Sequence, residues 1–491
     1  MKSIALFLGV LFLMLLLFIP VGVIATFGDV ELESIIFHVF MPKKDMSFDW
    51  LGDMSLYFFL AFISSLFLIS LSIIGKRIKI IRNFLFVFII IIICFDVFYI
   101  DSIFLVHEYI LNQYHSSNFI ENHYVDPKKV KFTFPQKKKN LIFIQVESLE
   151  ASFQDREHGG LLDNNYIPEL TKLAEENVNF SSSDLIGGAI VLPETGWTMG
   201  GLIAETAGIP LKSYKIHKSD DQIGNTYNQY KSFLSNVTSL GDILFSFGYK
   251  NYFILGSSKD FAAQGVFLKE HGEYTVYDYD FIKNNMKFEK PEEKWWGLLD
   301  RDVFEFSKNK LLSLSVSKEP FSVIIQTIDS HREGFLSPDC SSHYNELIKN
   351  VYACVSNHVN SFISWCKEQD FFKDTIIVVV GDHCNMSHSL FTENISKETG
   401  LYEGTSRKVY NVFINSPIQP IQEKNRLFST MDIFPTILAS MGVTIEGDRL
   451  GLGTNLFSDQ KTLLEQYGYE FLYQELRKKS NFYNHKLLYS R

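Results

Sequence analysis

The sequence predicts an α/β protein in which apolar N-terminal helices precede a domain built on a mainly parallel central sheet. Three observations predict this fold. Long apolar runs fill the first 105 of the 491 residues. After about residue 140, short apolar strands alternate with amphipathic helices, which is typical of a parallel sheet. Polar residues that are able to do chemistry follow three of those strands.

Three apolar segments, at 4–26, 55–75 and 84–105, are each long enough to cross about 30 Å of hydrocarbon. The first exceeds the apolar region of a cleaved signal peptide, so we interpret it as an uncleaved helix. Residues 1–105 are therefore predicted to form a membrane anchor with three transmembrane helices.

The basic residues near these segments predict an orientation. Lys2 precedes the first span, and KRIKIIRN at 76–83 separates the second from the third. The positive-inside rule puts both in the cytoplasm. Three crossings then place the rest of the chain outside. This predicts a multi-pass protein of a bacterial inner membrane whose soluble domain lies in the periplasm.

Residues 106–139 are interpreted as a linker that ends in PKKVKFTFPQKKK. Two readings remain open, a solvated tether or a contact with anionic lipid headgroups. The net charge of -10 and the pI near 5.8 argue against nucleic acid as a partner, because binding to phosphates needs a basic excess.

In the soluble region, short apolar runs that are typical of buried strands alternate with stretches that have the spacing of a helix. Strands are predicted at 141–147, 251–256, 320–329, 375–382 and 408–416. Helices are predicted at 167–178, 238–249, 346–369 and 430–442.

Carboxylates and imidazoles stand where three predicted strands end. Glu147 closes the first strand, Asp329 and His331 follow the strand at 320–329, and Asp382 and His383 follow the strand at 375–382. Parallel strands bring such ends to one edge of a sheet. We therefore expect a metal or catalytic site there, with oxygen and imidazole ligands that suit Mn, Mg or Zn.

A glycine-rich segment at 187–211 contains Thr195, just before a predicted helix. The N-terminus of such a helix would attract an anion. Two readings of Thr195 stay open on spacing alone, a helix N-cap or a nucleophile activated by a metal.

The order of these motifs resembles a known family. It runs from the strand ending in Glu147 through TGWT (195–198), DSH (329–331) and GDH (381–383) to MDIFPTIL (431–438). This is similar to the membrane-anchored phosphoglycerol transferases of the sulfatase-like alkaline phosphatase superfamily. The resemblance implies a sulfatase-like catalytic domain at 140–460, followed by a C-terminal helical extension at 461–491.

The resemblance also implies roles for individual residues. Glu147, Thr195, Asp382 and His383 would hold one divalent ion, manganese first and magnesium or zinc as alternatives. Thr195 would also be the nucleophile, and His331 would lie near the phosphate or the leaving oxygen.

Substrate-binding residues are less well marked. The stretch 255–272 lacks the Trp and Arg that grip glycerol phosphate in related synthases, which leaves Lys259, Asp260 and Gln264 as stand-ins. Arg407 would clamp a phosphate or form a surface salt bridge, and Trp296 would stack on a sugar or pack under a helix start. Cys340 and Cys354 resemble a disulfide pair of the family.

The implied function is metal-dependent transfer of phosphoglycerol from a phospholipid, phosphatidylglycerol first, to a periplasmic or surface glycan through a phospho-threonine. A phosphoethanolamine transferase and a non-catalytic glycan-assembly protein remain alternatives. Sulfate ester hydrolysis is disfavoured, because position 195 lacks the Cys or Ser followed by x-Pro-x-Arg that sulfatases need.

Overall fold

The computed structural model describes residues 2–27, 30–40, 50–75, 79–212, 233–286, 297–317, 319–386, 390–391 and 406–488. They form two compact units, which are described separately. Apart from short exchanged stretches, the first lies within residues 1–114 and the second within 115–491.

The first unit is helical. Its helices are α1 (Lys2–Phe27), α2 (Leu32–Phe40), α3 (Trp50–Gly75), α4 (Lys79–Phe104) and α5 (Val106–Tyr114). By length and composition, Phe7–Thr26, Met54–Ile74 and Phe86–Phe104 are apolar enough to cross a membrane. These segments coincide with the three predicted spans and mark the chain as a membrane protein. The two short helices α2 and α5 were not predicted.

The second unit combines helices with strands. Its helices are α6 (Phe119–His123), α7 (Pro168–Glu176), α8 (Thr198–Ala207), α9 (Leu240–Ser246), α10 (Gln264–Glu270), α11 (Tyr279–Asn285), α12 (Asp300–Ser315), α13 (Leu347–Lys367), α14 (Ile433–Ser440), α15 (Leu463–Tyr467) and α16 (Tyr469–Arg477).

The strands of the second unit form one large sheet and two small ones. They are β1 (Phe132–Thr133), β2 (Asn140–Val146), β3 (Gly188–Ala189), β4 (Lys250–Leu255), β5 (Thr275–Tyr277), β6 (Phe321–Gln326), β7 (Thr375–Gly381), β8 (Val409–Ile414), β9 (Thr444–Ile445), β10 (Arg449–Leu450) and β11 (Gly453–Thr454).

The large sheet has seven strands in the order β3-β8-β7-β2-β6-β4-β5. The neighbours from β7 to β5 run parallel, whereas β8 pairs antiparallel with both β7 and β3. This confirms the mainly parallel α/β fold. Strands β2, β6 and β7 are buried along nearly their whole length, because helices cover both faces of the sheet.

Alternate side chains of β2 divide between two hydrophobic cores. Leu141 and Phe143 pack with the face that carries α8, α9 and α14. Ile142 and Ile144 pack with the face that carries α7, α12 and α13. Alternation of this kind gives each face of the sheet its own layer of helices. Because β2, β6 and β7 run parallel, the polar residues that follow them lie at one edge of the sheet.

The segment predicted as a linker divides between the units. From residue 115 onward it belongs to the second unit, where Phe119 and Ile120 are buried and β1 pairs with β9. Phe119 contacts Tyr467 and Phe471 of the C-terminal helices. Lys137 pairs with Asp374, so this part of the basic stretch lies on protein.

Candidate active site

The carboxyl ends of β2 and β7 bring three potential ligands together. The register pairs Val146 with Gly381, so Glu147 and Asp382 leave adjacent strands side by side. The Nε2 atom of His383 lies 3.3 Å from Glu147 Oε1 and 3.6 Å from Asp382 Oδ2. One ligand atom from each of the three lies within 4.8 Å of the others, and all three side chains are buried.

Hydrogen bonds orient these groups. His383 Nδ1 donates to the Cys384 carbonyl at 2.8 Å, which turns Nε2 toward the carboxylates. Asp382 Oδ1 accepts from the backbone N–H groups of Ser148 and His383 at 2.7 and 2.8 Å. Asp382 Oδ2 is buried and has no hydrogen-bond partner among the described residues. An orphaned buried oxygen of this kind is expected where a ligand is to bind.

The electrostatics favour a cation at this position. Burial and repulsion from Glu147 raise the pKa of Asp382 to about 8. Burial opposes charge on His383, but Asp382 and Glu147 outweigh it and raise the pKa of its imidazole to about 10. Without an ion, the protons on Asp382 and His383 balance the charge of Glu147. In the form that binds a metal, with both carboxylates ionised and the imidazole neutral, negative charge is in excess. A divalent ion would compensate it.

A threonine hydroxyl completes this arrangement, and it belongs to Thr198. Helix α8 begins at Thr198, whose Oγ1 donates to Glu147 Oε2 at 3.3 Å and lies 3.5 Å from His383 Nε2. We call Glu147, Thr198, Asp382 and His383 the ligand cluster.

The prediction that Thr195 is a ligand and the nucleophile is wrong. Its Oγ1 donates to the Leu192 carbonyl at 2.8 Å and accepts from the Leu192 N–H at 3.1 Å and from the Thr430 hydroxyl at 3.4 Å. These bonds close the turn before the helix. The N-cap reading fails as well, because Trp197 holds that position. The sequence signal that was missed is the second threonine of TGWT, at the first helical residue.

The glycines of α8 let the helix approach the strand ends. A Cβ at Gly201 would lie 2.1 Å from the Asp382 carbonyl oxygen, so a larger residue would push the helix away. Glu194, at the start of the turn, has a φ of 64° and forms a buried ion pair of 3.2 Å with Lys212. Helix and turn together fix the position of Thr198.

The predicted histidine after β6 lies on the same side. His331 Nδ1 donates to the Arg332 carbonyl at 3.0 Å. Despite burial, the charges of His383 and His331 hold the pKa of Glu147 low, at about 2. The segment between β6 and His331 also grips Glu147, because Thr327 Oγ1 accepts its N–H at 3.0 Å and the Ser330 hydroxyl donates to its carbonyl at 2.5 Å.

Arg407 does not serve as a phosphate clamp in this structure. Its guanidinium donates to both carboxylate oxygens of the fully buried Glu150 and to the Asn385 carbonyl. Arg407 therefore forms an ion pair that is buried, whereas the second reading of the sequence expected a salt bridge at the surface.

The other predicted substrate residues have different surroundings. Lys259 Nζ lies 2.9 Å from Asp278 Oδ2 and its side chain is half exposed. Gln264 is fully buried, and neither atom of its amide has a hydrogen-bond partner within the part of the chain that the structure describes. Trp296 lies outside the described residues. Cys340 and Cys354 form a disulfide with a Cα–Cα distance of 5.8 Å.

Part of the chain is similar to known proteins. Residues 208–443 match the family model "Sulfatase", a range that includes His331, Asp382 and His383. Phosphoglycerol transferase I of Salmonella choleraesuis is 32% identical over 348 residues, which is 69% of this chain and 41% of that protein. The chain thus spans about two fifths of the curated relatives that it matches.

Two solved structures share the fold. A protein of the alkaline phosphatase superfamily from Vibrio parahaemolyticus aligns with a TM-score of 0.51 at 20% identity, covering 67% of this chain and 71% of that one. The lipoteichoic acid synthase LtaP from Listeria monocytogenes aligns with a TM-score of 0.50 at 15% identity, covering 70% and 82%.

Proposed function

We propose that this chain, which carries a sulfatase-family domain of the alkaline phosphatase superfamily, is a membrane-anchored phosphotransferase that moves phosphoglycerol from a phospholipid to a glycan. The observation that carries the proposal is the Thr198 hydroxyl, held at a helix N-terminus against two buried carboxylates and an imidazole. Phosphatidylglycerol is the proposed donor, and a periplasmic or surface glycan is the proposed acceptor.

The residues of the ligand cluster fit a divalent cation. Glu147, Asp382 Oδ2, His383 Nε2 and the Thr198 hydroxyl would hold it, and manganese is the ion we propose first, ahead of magnesium or zinc. When bound, such an ion lowers the pKa of a coordinated hydroxyl and neutralises charge that develops on a phosphoryl group.

The chain's own groups account for the remaining steps. The Thr198 hydroxyl passes its proton to Glu147 Oε2, which accepts its hydrogen bond, and Oγ attacks the phosphorus. A bond from phosphorus to Thr198 forms, and the bond to the diacylglycerol oxygen breaks. The N–H groups at the start of α8 would stabilise the negative charge of a phosphate bound there. His331 donates a proton to the leaving oxygen.

The second half of the cycle reverses these roles. A glycan hydroxyl gives its proton to His331 and attacks the phosphorus of the glycerophospho-threonine. The bond from phosphorus to Thr198 breaks, and Thr198 Oγ takes back the proton held by Glu147, which restores the threonine. His331 suits both steps because its Nδ1 is held by the Arg332 carbonyl, so that one ring nitrogen is oriented by the loop itself.

Gln264 is the residue we propose for headgroup recognition. Its buried amide offers a donor and an acceptor, and the turn that precedes it packs against α8. A neutral amide suits the two hydroxyls of a glycerol headgroup better than an ammonium group, which needs acceptors only. Lys259 remains a proposed contact to the phosphate.

The apolar helices of the first unit agree with a lipid donor, which stays in the bilayer throughout the reaction. The basic residues at Lys2 and at 76–83 support a cytoplasmic position for these segments, and hence a periplasmic catalytic domain at a bacterial inner membrane.

Mass spectrometry of the covalent intermediate tests the proposal. The full-length protein would be incubated with Mn²⁺ and phosphatidylglycerol vesicles without an acceptor, quenched in acid, digested and fragmented. We expect a glycerol phosphate adduct on Thr198 and no adduct in Thr198→Ala. An ethanolamine phosphate adduct, formed only with phosphatidylethanolamine vesicles, would show that phosphatidylethanolamine is the donor instead of phosphatidylglycerol. Turnover of the lipid without an adduct would contradict the threonine mechanism.

A further inference from the structure

A buried glutamate on α8 lies outside the ligand cluster. Glu205 follows Thr198 by seven residues, and at about 3.6 residues per turn this spacing brings both side chains to the same face of the helix. Gly201, which closely approaches the Asp382 carbonyl, lies between them on that side of the helix. Glu205 is fully buried, in a position where acidic side chains are rare unless they are bonded to another group.

A hydrogen bond joins this glutamate to the central sheet. Gln145 Nε2, on β2, donates to Glu205 Oε2 at 2.8 Å. The other carboxyl oxygen of Glu205, Oε1, is buried and has no hydrogen-bond partner among the described residues. Gln145 lies two residues before Glu147, whose carboxylate accepts the hydrogen bond from Thr198. Two hydrogen bonds about two turns apart on α8 therefore hold the helix to one short stretch of backbone.

The neighbouring strand orients the amide of Gln145. Gln326 is the cross-strand partner of Gln145 in the register of β2 with β6. The Nε2 atom of Gln326 donates to Gln145 Oε1 at 2.9 Å, so the amide nitrogen of Gln145 is left to face Glu205. All three side chains are buried. The row of hydrogen bonds thus runs from β6 through β2 to α8.

The carboxyl of Glu205 is neutral in this setting. Burial and the negative charge of Asp382 raise the pKa of Glu205 well above its ordinary range. The hydrogen bond from Gln145 opposes this shift but does not outweigh it. The bond between α8 and β2 therefore joins two uncharged groups, and a side-chain amide in place of the carboxyl can accept it equally well.

We propose that Glu205 is a positioning residue of the transfer reaction, because its hydrogen bond to Gln145 fixes where α8 lies along β2. The Thr198 hydroxyl is thereby kept against Glu147. This role rests on the proposed function, in which Thr198 is the nucleophile. Without the second bond α8 is held to this stretch at one end only, and a displacement of about 1 Å at a reacting group costs up to about a hundredfold in rate.

The rate at which the Thr198 adduct forms tests this role. The full-length protein would be mixed with Mn²⁺ and phosphatidylglycerol vesicles without an acceptor, and the adduct would be followed over time by mass spectrometry. Glu205→Leu, which cannot accept the bond, should lower the rate at saturating donor at least about tenfold. The donor concentration that gives half of the maximal rate should stay within about twofold, because lipid binding is not affected. Glu205→Gln, which keeps an acceptor, should retain the parental rate.

Thr206→Val is the matched control on the same helix. It removes a buried hydrogen bond that lies within α8, from Thr206 Oγ1 to the Leu202 carbonyl, and leaves the bond to β2 in place. Its rate should stay within about threefold of the parental rate. Calorimetric titration with Mn²⁺ is a second measurement, in which Glu205→Leu should weaken binding about tenfold, because the Thr198 hydroxyl is displaced from the other ligands.

Three results would overturn the positioning role. They are a parental rate in Glu205→Leu, a rate in Glu205→Gln as low as that of Glu205→Leu, and equal slowing by Thr206→Val. If Glu205→Leu does not fold, Gln145→Asn shortens the other partner of the bond and is measured in its place with the same expectation. A parent protein that forms no adduct on Thr198 would contradict the proposed function instead, and unchanged Mn²⁺ affinity in Glu205→Leu would then overturn the positioning role separately.

Discussion

Two buried polar clusters lie beyond the end of β2, and they differ in how their charges are balanced. One contains Glu147 and the other Glu150, three residues later in the chain. The ligand cluster has two carboxylates against one imidazole, and Asp382 Oδ2 has no hydrogen-bond partner among the described residues. The second, which we call the paired cluster, comprises Glu150, Tyr352, Asn385 and Arg407. There one carboxylate meets one guanidinium through two hydrogen bonds. A buried charge that is paired holds the fold, whereas a buried charge left in excess prepares a site for a ligand.

The paired cluster also supports its neighbour. The Asn385 N–H donates to Glu150 at 2.7 Å, and its side-chain amide donates to the Tyr352 hydroxyl at 2.9 Å. Tyr352 in turn donates to the Ser148 carbonyl at 2.6 Å. The backbone is thus held one residue after Glu147 and two residues after His383. The comparison predicts that changes in the ligand cluster mainly affect chemistry and changes in the paired cluster mainly affect stability.

The largest effect is expected at Thr198. Thr198→Ala removes the proposed nucleophile and should reduce phosphoglycerol transfer at least about a thousandfold. Its free energy of unfolding should change by less than about 1 kcal/mol, since only one weak buried hydrogen bond is lost. Transfer kinetics and urea unfolding would measure the two quantities.

Thr195→Ala is the matched control for that prediction. It opens the turn at Leu192, so we expect a loss of about 1–2 kcal/mol of stability and a much smaller loss of rate. An inactive Thr195→Ala beside an active Thr198→Ala would reverse our assignment of the nucleophile.

The next effect is expected in the paired cluster. Arg407→Met leaves Glu150 buried without its partner and should cost about 3–5 kcal/mol in the free energy of unfolding. The double variant Glu150→Gln, Arg407→Met should recover part of this loss, because the unpaired charge is gone. If Arg407→Met kept its stability but lost its affinity for a phosphodiester substrate, Arg407 would be a substrate clamp after all.

A smaller effect is expected for Asp382→Asn. Its amide oxygen can accept the two backbone bonds of Asp382 Oδ1, but the amide nitrogen replaces the open ligand atom. Affinity for Mn²⁺ should fall at least about tenfold in a calorimetric titration. In the presence of a chelator the variant should be no less stable than the parent, because a repulsive buried charge has been removed. If the variant were less stable than the parent in the presence of a chelator, Asp382 would have the stabilising role that we assign to the paired cluster.

The last effect depends on pH and concerns Asp300, a buried acid that has no cation beside it among the described residues and no place in either cluster. Burial raises its pKa to about 7, compared with about 3.9 for an unfolded aspartate. The folded state therefore holds the proton more tightly, and this contribution to stability is lost as pH rises from about 4 to about 7. Asp300→Asn should show a smaller fall in unfolding free energy between pH 5 and pH 8. An unchanged slope would mean that Asp300 does not titrate in this range.

Sequence reasoning identified most of the fold, because the signals were local. The strands that end at Val146 and Gly381 are continuous apolar runs, and the long helix α13 has an amphipathic pattern. The short helices α2, α5, α10 and α11 were missed, since seven to nine residues carry too little periodicity. The sixteen-residue helix α12 was missed as well. We expected Glu147 and Asp382 to lie close together because both follow strands. The register that pairs Val146 with Gly381 could not be predicted.

The sequence by itself determined the residue types at the strand ends, the apolar spans and the glycines of α8, because each depends on neighbours along the chain. Only the tertiary structure showed that Thr198, and not Thr195, lies against Glu147 and His383. Three residues separate the two threonines, and the choice depended on where the helix begins relative to β2 and β7. The partner of Arg407 was decided in the same way, because Glu150 lies more than 250 residues earlier in the chain. Which charged groups meet in the interior is a matter of packing, and no local pattern encodes it.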